Sequence, residues 1–179
     1  MPVAQLISPQ ALNERQSQPG LVILDCRFAL EDPDYGLRSY AEGHIEGAQF
    51  ADLERDLSGP VTKGVTGRHP LPDPDELIER LRGWGINNDS DVVLYDDGPG
   101  AFAARAWWLL AWLGKRDGVL LLDGGLKAWH GAGFPLNLDS VKLPRGHFDG
   151  VPDNQLLITA DALQKRQDDP ALTLIDARA

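Results

Sequence analysis

The feature that most constrains this chain is an internal repeat. Residues 6–27 match residues 157–178 without a gap at a constant offset of 151, and 10 of the 22 aligned positions are identical. The identities are Leu6, Ile7, Ala11, Leu12, Arg15, Gln16, Pro19, Leu21, Asp25 and Arg27. Unrelated segments of this length would share about one or two, so the match reflects duplication rather than two generic helix-then-strand pieces. Where identity fails, chemistry is kept: Ser8 stands against Thr159, and Ile23-Leu24 against Leu174-Ile175. Both copies end on Asp-x-Arg, and the second stops at Ala179, one residue past Arg178. A helix and a strand cannot enclose a core alone. We therefore expect a complete domain over 1–136, a linker over 137–155, and over 156–179 the opening of a second domain truncated from a longer parent protein. The linker assignment rests on Pro144, Gly146, Gly150 and Pro152 among polar neighbours. The apolar strand of the tail is expected to pack on the first domain, swap into a neighbouring molecule or remain unfolded.

Between the copies, short apolar runs alternate with helical patterns. Leu21-Val22-Ile23-Leu24, Val92-Val93-Leu94-Tyr95 and Val119-Leu120-Leu121-Leu122 read as strands buried on both faces, with Ala48-Gln49-Phe50 as a weaker fourth. Asp73-Pro74-Asp75-Glu76 opens a helix with acids and a proline in its first turn, closed at Gly83 or Gly85. Further helices are predicted over Phe102–Leu113, stopped by Gly114, and over Gly125–Gly131. This alternation predicts an α/β domain built on an open parallel sheet with helices on both faces.

Charge narrows the partners. Lys and Arg number 17 against 27 Asp and Glu, a net charge of −10, which repels nucleic acid phosphates and anionic lipid alike. No apolar run approaches the roughly 18 residues of a membrane span, and Met1-Pro2-Val3-Ala4-Gln5 offers neither a basic nor an apolar leader segment. A single cysteine, Cys26, rules out a disulfide framework. A cytoplasmic location is the expectation.

In an open α/β sheet, ligands bind beyond the carboxyl ends of the strands, where a loop runs into a helix N-terminus. Tyr95-Asp96-Asp97-Gly98-Pro99-Gly100-Ala101 is such a strand, glycine-rich turn and helix. A turn of this kind aims several backbone N–H groups at one point, and a thiol placed there becomes a strong nucleophile. Here the position holds Asp96, a poor nucleophile toward sulfur, whose charge is expected to fill the cradle itself.

Three motifs then carry a resemblance to the rhodanese (sulfurtransferase) superfamily. Tyr40-Ala41-Glu42-Gly43-His44-Ile45-Glu46-Gly47-Ala48 resembles its E-x-G-H-I-x-G-A motif, Asp25-Cys26-Arg27 its strand-end D-x-R, and Asp123-Gly124-Gly125-Leu126-Lys127-Ala128-Trp129 its late D/N-G-G-x-x-x-W. Arg105-Ala106-Trp107-Trp108 after Asp96-Asp97-Gly98 is similar to the first, non-catalytic domain of tandem sulfurtransferases of the thiosulfate and 3-mercaptopyruvate type. The resemblance implies a parent enzyme that moves sulfane sulfur from a small anionic donor to cyanide or a thiol, without cofactor or metal. A cysteine persulfide would carry the sulfur in the absent second domain. In that domain a cysteine heads the loop where Asp96 stands here, so no catalytic residue carries over to this chain, and no substrate-binding residue is assigned. Asp25, Arg27, Glu42, Gly43, His44, Gly47, Arg105, Trp108, Gly124, Gly125 and Trp129 are expected to be structural. The competing expectation is a stand-alone, non-catalytic rhodanese-like binding or regulatory module. A related phosphatase would need a Cys-x5-Arg loop, and residues 96–102 hold no cysteine.

Other polar residues receive plain roles. Cys26 is expected to be small buried filler, since Ala177 stands at its place in the second copy. Asp25 with Arg27 is expected to form an ion pair that orders the loop. His44 is expected to lock its turn by a hydrogen bond, because His69, His130 and His147 show no ligand spacing around it. Trp107, Trp108 and Trp112 are expected to pack in the core or between domains rather than stack on bases. Gly64 to Pro70 is a loop with a structural or cleft-facing role.

Overall fold

A computed structural model describes residues 3–175. Five strands form one parallel sheet: β1 (Gln5–Ile7), β2 (Leu21–Asp25), β3 (Gln49–Phe50), β4 (Asp91–Tyr95) and β5 (Val119–Leu122). Their spatial order is β1-β5-β4-β2-β3. The helices are α1 (Pro9–Arg15), α2 (Tyr35–Glu42), α3 (Pro74–Gly83), α4 (Ala101–Trp112), α5 (Gly125–Gly131) and α6 (Ala160–Gln164).

The continuous apolar runs have the expected cause. Val22 and Leu24 of β2, with Val92 and Leu94 of β4, enter a core shared with α3 and α4. Ile23, Val93 and Tyr95 point the other way, into a second core with Leu12, Tyr40, Leu126 and Trp129 of α1, α2 and α5. Successive side chains face opposite sides of a strand, so a sheet covered on both faces needs apolar residues at every position. The helix ends follow their caps. The Asp73 carboxylate accepts from the backbone N–H of Asp75 at 2.9 Å and of Glu76 at 3.2 Å.

Two elements escaped the sequence reading. β1 is three residues long and lies at the sheet edge, with Leu6 exposed, so it carries almost no apolar signature. The other is α2, which buries only Gly36 and Tyr40. The weak fourth strand contracts to Gln49–Phe50, and α4 starts one residue earlier than expected.

The two copies of the repeat cap their helices alike. Ser8 Oγ accepts from Ala11 N at 3.2 Å, and Thr159 Oγ1 accepts from Ala162 N at 3.2 Å. After α6 the copies diverge: Leu174 and Ile175, expected in a strand, are exposed and pair with nothing in the sheet. Asp176, Ala177 and Arg178 lie outside the described residues.

Residues 137–153, within the segment 137–155 read above as linker, have no helix and contribute no strand to the sheet, yet they are fastened along α3, α4 and the Asn87-Asn88 turn. Gly146 N donates to Arg82 O at 2.8 Å, His147 N to Asn87 Oδ1 at 2.7 Å, and Asp149 N to Asn88 Oδ1 at 2.8 Å. Val151 N and Asp153 N donate to Leu113 O and Trp112 O at 3.1 and 2.7 Å. Phe148 is 1% exposed and belongs to the α3–α4 core. Phe148→Ala is expected to lower unfolding free energy by about 3–5 kcal/mol, the usual range for such a cavity. Urea denaturation reads the loss; a change under about 1 kcal/mol would show that the strap contributes little.

Candidate functional site

The loop between β4 and α4 is built around one carboxylate. Asp96 is 1% exposed. Its Oδ1 accepts from Gly98 N at 3.0 Å and Gly100 N at 3.1 Å, and its Oδ2 from Phe102 N at 3.0 Å and Ala103 N at 3.1 Å. Gly100, with φ +88°, caps α4, so two donors come from the turn and two from the first turn of the helix. The helix dipole and four N–H groups converge on a single negative side chain. The side chain thus takes up the donors that converge on this point. The loop is closed from the α5 side by Gly125 (φ +58°): a Cβ there would lie 2.4 Å from Asp96 O, so only glycine fits. Leu126 N donates to Asp96 O at 2.8 Å. A cavity of about 380 Å³ opens beside the loop, bounded by Leu6, Pro99, Ala104 and Asp123 to Gly125.

Behind the loop lies a buried polar cluster. Arg27 reaches Asp25 through Nε at 3.0 Å and Nη2 at 2.5 Å, and Nη2 also donates to Gly43 O at 2.7 Å. Burial opposes the guanidinium charge, but the Asp25 carboxylate outweighs it and holds the Arg27 pKa above its ordinary value. Tyr95 Oη donates to Asp25 Oδ2 at 2.7 Å and accepts from Ile45 N at 3.3 Å. Burial, and then the neighbouring Asp25, push the Tyr95 phenol well up. The pair therefore ties the ends of β2 and β4 to the turn that carries His44. Tyr95 was missed as a polar residue because in sequence it reads only as the last apolar position of a strand.

The remaining motif residues are each held by specific contacts. His44 Nδ1 lies 2.9 Å from Tyr40 O, its ring stacks on Tyr40 at 3.9 Å, and its backbone bridges to Asn137. Glu42 and Gly43 end α2, and Gly47 turns the chain toward β3. Gly124 caps α5. Trp129 is buried and donates from Nε1 to Pro135 O at 3.0 Å. Arg105 donates to Leu57 O at 3.0 Å and Pro70 O at 3.1 Å, pinning both ends of the 58–70 loop. Trp108 is half-buried and stacks on Trp112 at 6.1 Å, and Trp107 packs on the same core. Cys26 is buried, and desolvation, then Asp25 and Asp96, push its thiol well above the usual range. Such a thiol is a poor nucleophile. Among the described residues, no helix is long and apolar enough to cross a membrane.

Known proteins match this architecture. A family model described as a rhodanese-like domain covers residues 8–132. A probable 3-mercaptopyruvate sulfurtransferase of Pseudomonas aeruginosa is 65% identical over 179 residues, covering 100% of this chain and 63% of that protein. The 3-mercaptopyruvate sulfurtransferase of Escherichia coli K12 is 31% identical over 172 residues, covering 93% of this chain and 58% of its own length. The crystal structure of SseA from Escherichia coli superposes with a TM-score of 0.88 at 30% identity, over 99% of this chain and 66% of that one. The chain thus spans about six-tenths of the length of these relatives. With its five-stranded parallel sheet, its helices on both faces and its motif residues at the strand ends, the chain belongs to the rhodanese-like domain family.

Proposed function

We propose that this chain is the catalytically silent, cleft-forming domain of a sulfurtransferase. The single observation that carries the reading is the Asp96 carboxylate, which takes up four backbone N–H groups at the head of the β4–α4 loop. A persulfide-bearing cysteine would need those donors, and the one thiol in the sequence, Cys26, is buried elsewhere. Sulfur chemistry then belongs to a second rhodanese-like domain, whose opening is the repeat at 157–178. The parent enzyme would take sulfane sulfur from thiosulfate or 3-mercaptopyruvate and pass it to cyanide or a thiol.

The silent domain has a surface suited to one wall of a cleft. The loop anchored by Arg105 exposes Val61 and Val65. Behind them the buried Phe28 meets Phe102 and His69 edge-on, at 5.5 and 6.0 Å, and backs the loop. An apolar rim of this kind, covered by the second domain, would exclude water from the transferring sulfur.

The 179-residue chain, assayed with thiosulfate and cyanide, is expected to form no thiocyanate over many turnovers, and Cys26→Ser to leave that result unchanged. Joined to the second domain of its parent, it should turn over. Multiple turnover by this chain alone would overturn the silent assignment.

A further inference from the structure

The sheet order creates a second crevice beside the one that Asp96 lines. β2 and β4 are neighbours, but β2 leads on to β3 on one side and β4 to β5 on the other. Connections that part in this way leave a crevice at the carboxyl ends of the two strands. A cavity of about 630 Å³ lies there, walled by Arg27, Tyr35, Glu42, Asp97, Lys127 and His130, with Leu126 and Leu136 as its apolar lining. This is an ordinary size for a small-molecule site.

Two of its charges are held in place. Arg27 is nearly buried and fixed through Nε and Nη2, while its Nη1 has no partner among the described residues. Asp97 accepts the hydroxyl of Tyr35 on Oδ2, and its Oδ1 likewise has no partner among the described residues. Lys127 and Glu42 are exposed on the rim and add one charge of each sign. A simple anion would meet Asp97 and Glu42; a simple cation would meet Arg27 and Lys127. A ligand that carries both signs can meet both pairs. We propose that this crevice binds a small zwitterion of the α-amino acid class, its carboxylate toward Arg27 and Lys127, its ammonium toward Asp97 and Glu42, and its side chain against Leu126 and Leu136. A hydrogen bond to a fixed charged group in a partly dry crevice is stronger than one on open surface.

The test is titration of the isotope-labelled 179-residue chain, followed through its backbone amide resonances, with each of the twenty standard L-amino acids. At least one should saturate, with the shifts centred on Gly43, Asp97 and Lys127. The matching deaminated acid and decarboxylated amine should each bind at least about tenfold more weakly. Lys127→Ala and Glu42→Gln, both at exposed positions, should each weaken binding about two- to fivefold. The proposal fails if no amino acid saturates, if the shifts lie elsewhere, or if the acid or the amine alone binds as well. The silent-domain reading is independent of this result and has its own assay.

Discussion

Asp25→Ala is expected to lower the unfolding free energy by about 3–5 kcal/mol, the usual consequence of stranding one member of a buried ion pair. Asp25 is fully buried, and its partners Arg27 and Tyr95 are nearly so. Removing the carboxylate leaves a guanidinium and a phenol in the interior without their acceptor, and the Gly43 and Ile45 contacts that depend on them loosen. Arg27→Ala should cost a similar amount. The double variant should cost clearly less than the sum of the two, because the residues are coupled. Chemical denaturation of the three variants measures this. Additive losses, or a single loss below about 1 kcal/mol, would show that Asp25 and Arg27 do not act as a pair.

Asp96→Cys is expected to create a reactive thiol where the chain now has none. The donors that hold the carboxylate would face a thiolate, and a helix N-terminus with converging N–H groups lowers a thiol pKa. Iodoacetamide entering the adjoining cavity at neutral pH should then modify position 96 on the order of 100-fold faster than Cys26, whose thiol is held protonated by desolvation and the Asp25 carboxylate. Peptide mass mapping identifies the labelled site. Labelling at Cys26 instead, or a rate at position 96 no greater than that of free cysteine, would show that the cradle does not activate an anion. The outcome bears on the proposed function, in which the loop is a nucleophile site occupied by its own carboxylate.

Much of the fold was legible because parallel strands covered on both faces leave an unmistakable trace. Leu21–Leu24, Val92–Tyr95 and Val119–Leu122 are apolar at every position for that reason, and the structure pairs all three. The self-filled cradle at Asp96 was legible too, since a strand, a glycine-rich turn and a helix specify its geometry locally. β1 and α2 were not: one is a three-residue edge, and the other rests only Gly36 and Tyr40 on the core. Residues 137–153, within the linker read over 137–155, were legible as irregular chain but not as a fastened one: only the contact of Phe148 with the α3–α4 core, and the side-chain amides of Asn87 and Asn88, turn them into a strap.

The sequence by itself determined the α/β alternation, the Asp-x-Arg and Gly-His-Ile motifs, the duplicated capping pattern and the carboxylate at position 96. These depend on neighbours within a few residues, or on periodicities that local burial imposes. Only the tertiary structure decided what converges from distant strands: Tyr95 on Asp25, Gly125 over Asp96, and Arg27 with Asp97 and Lys127 around one crevice. Strand order sets those meetings, and strand order follows from how whole helices pack on the two faces of the sheet, which no short stretch of residues encodes.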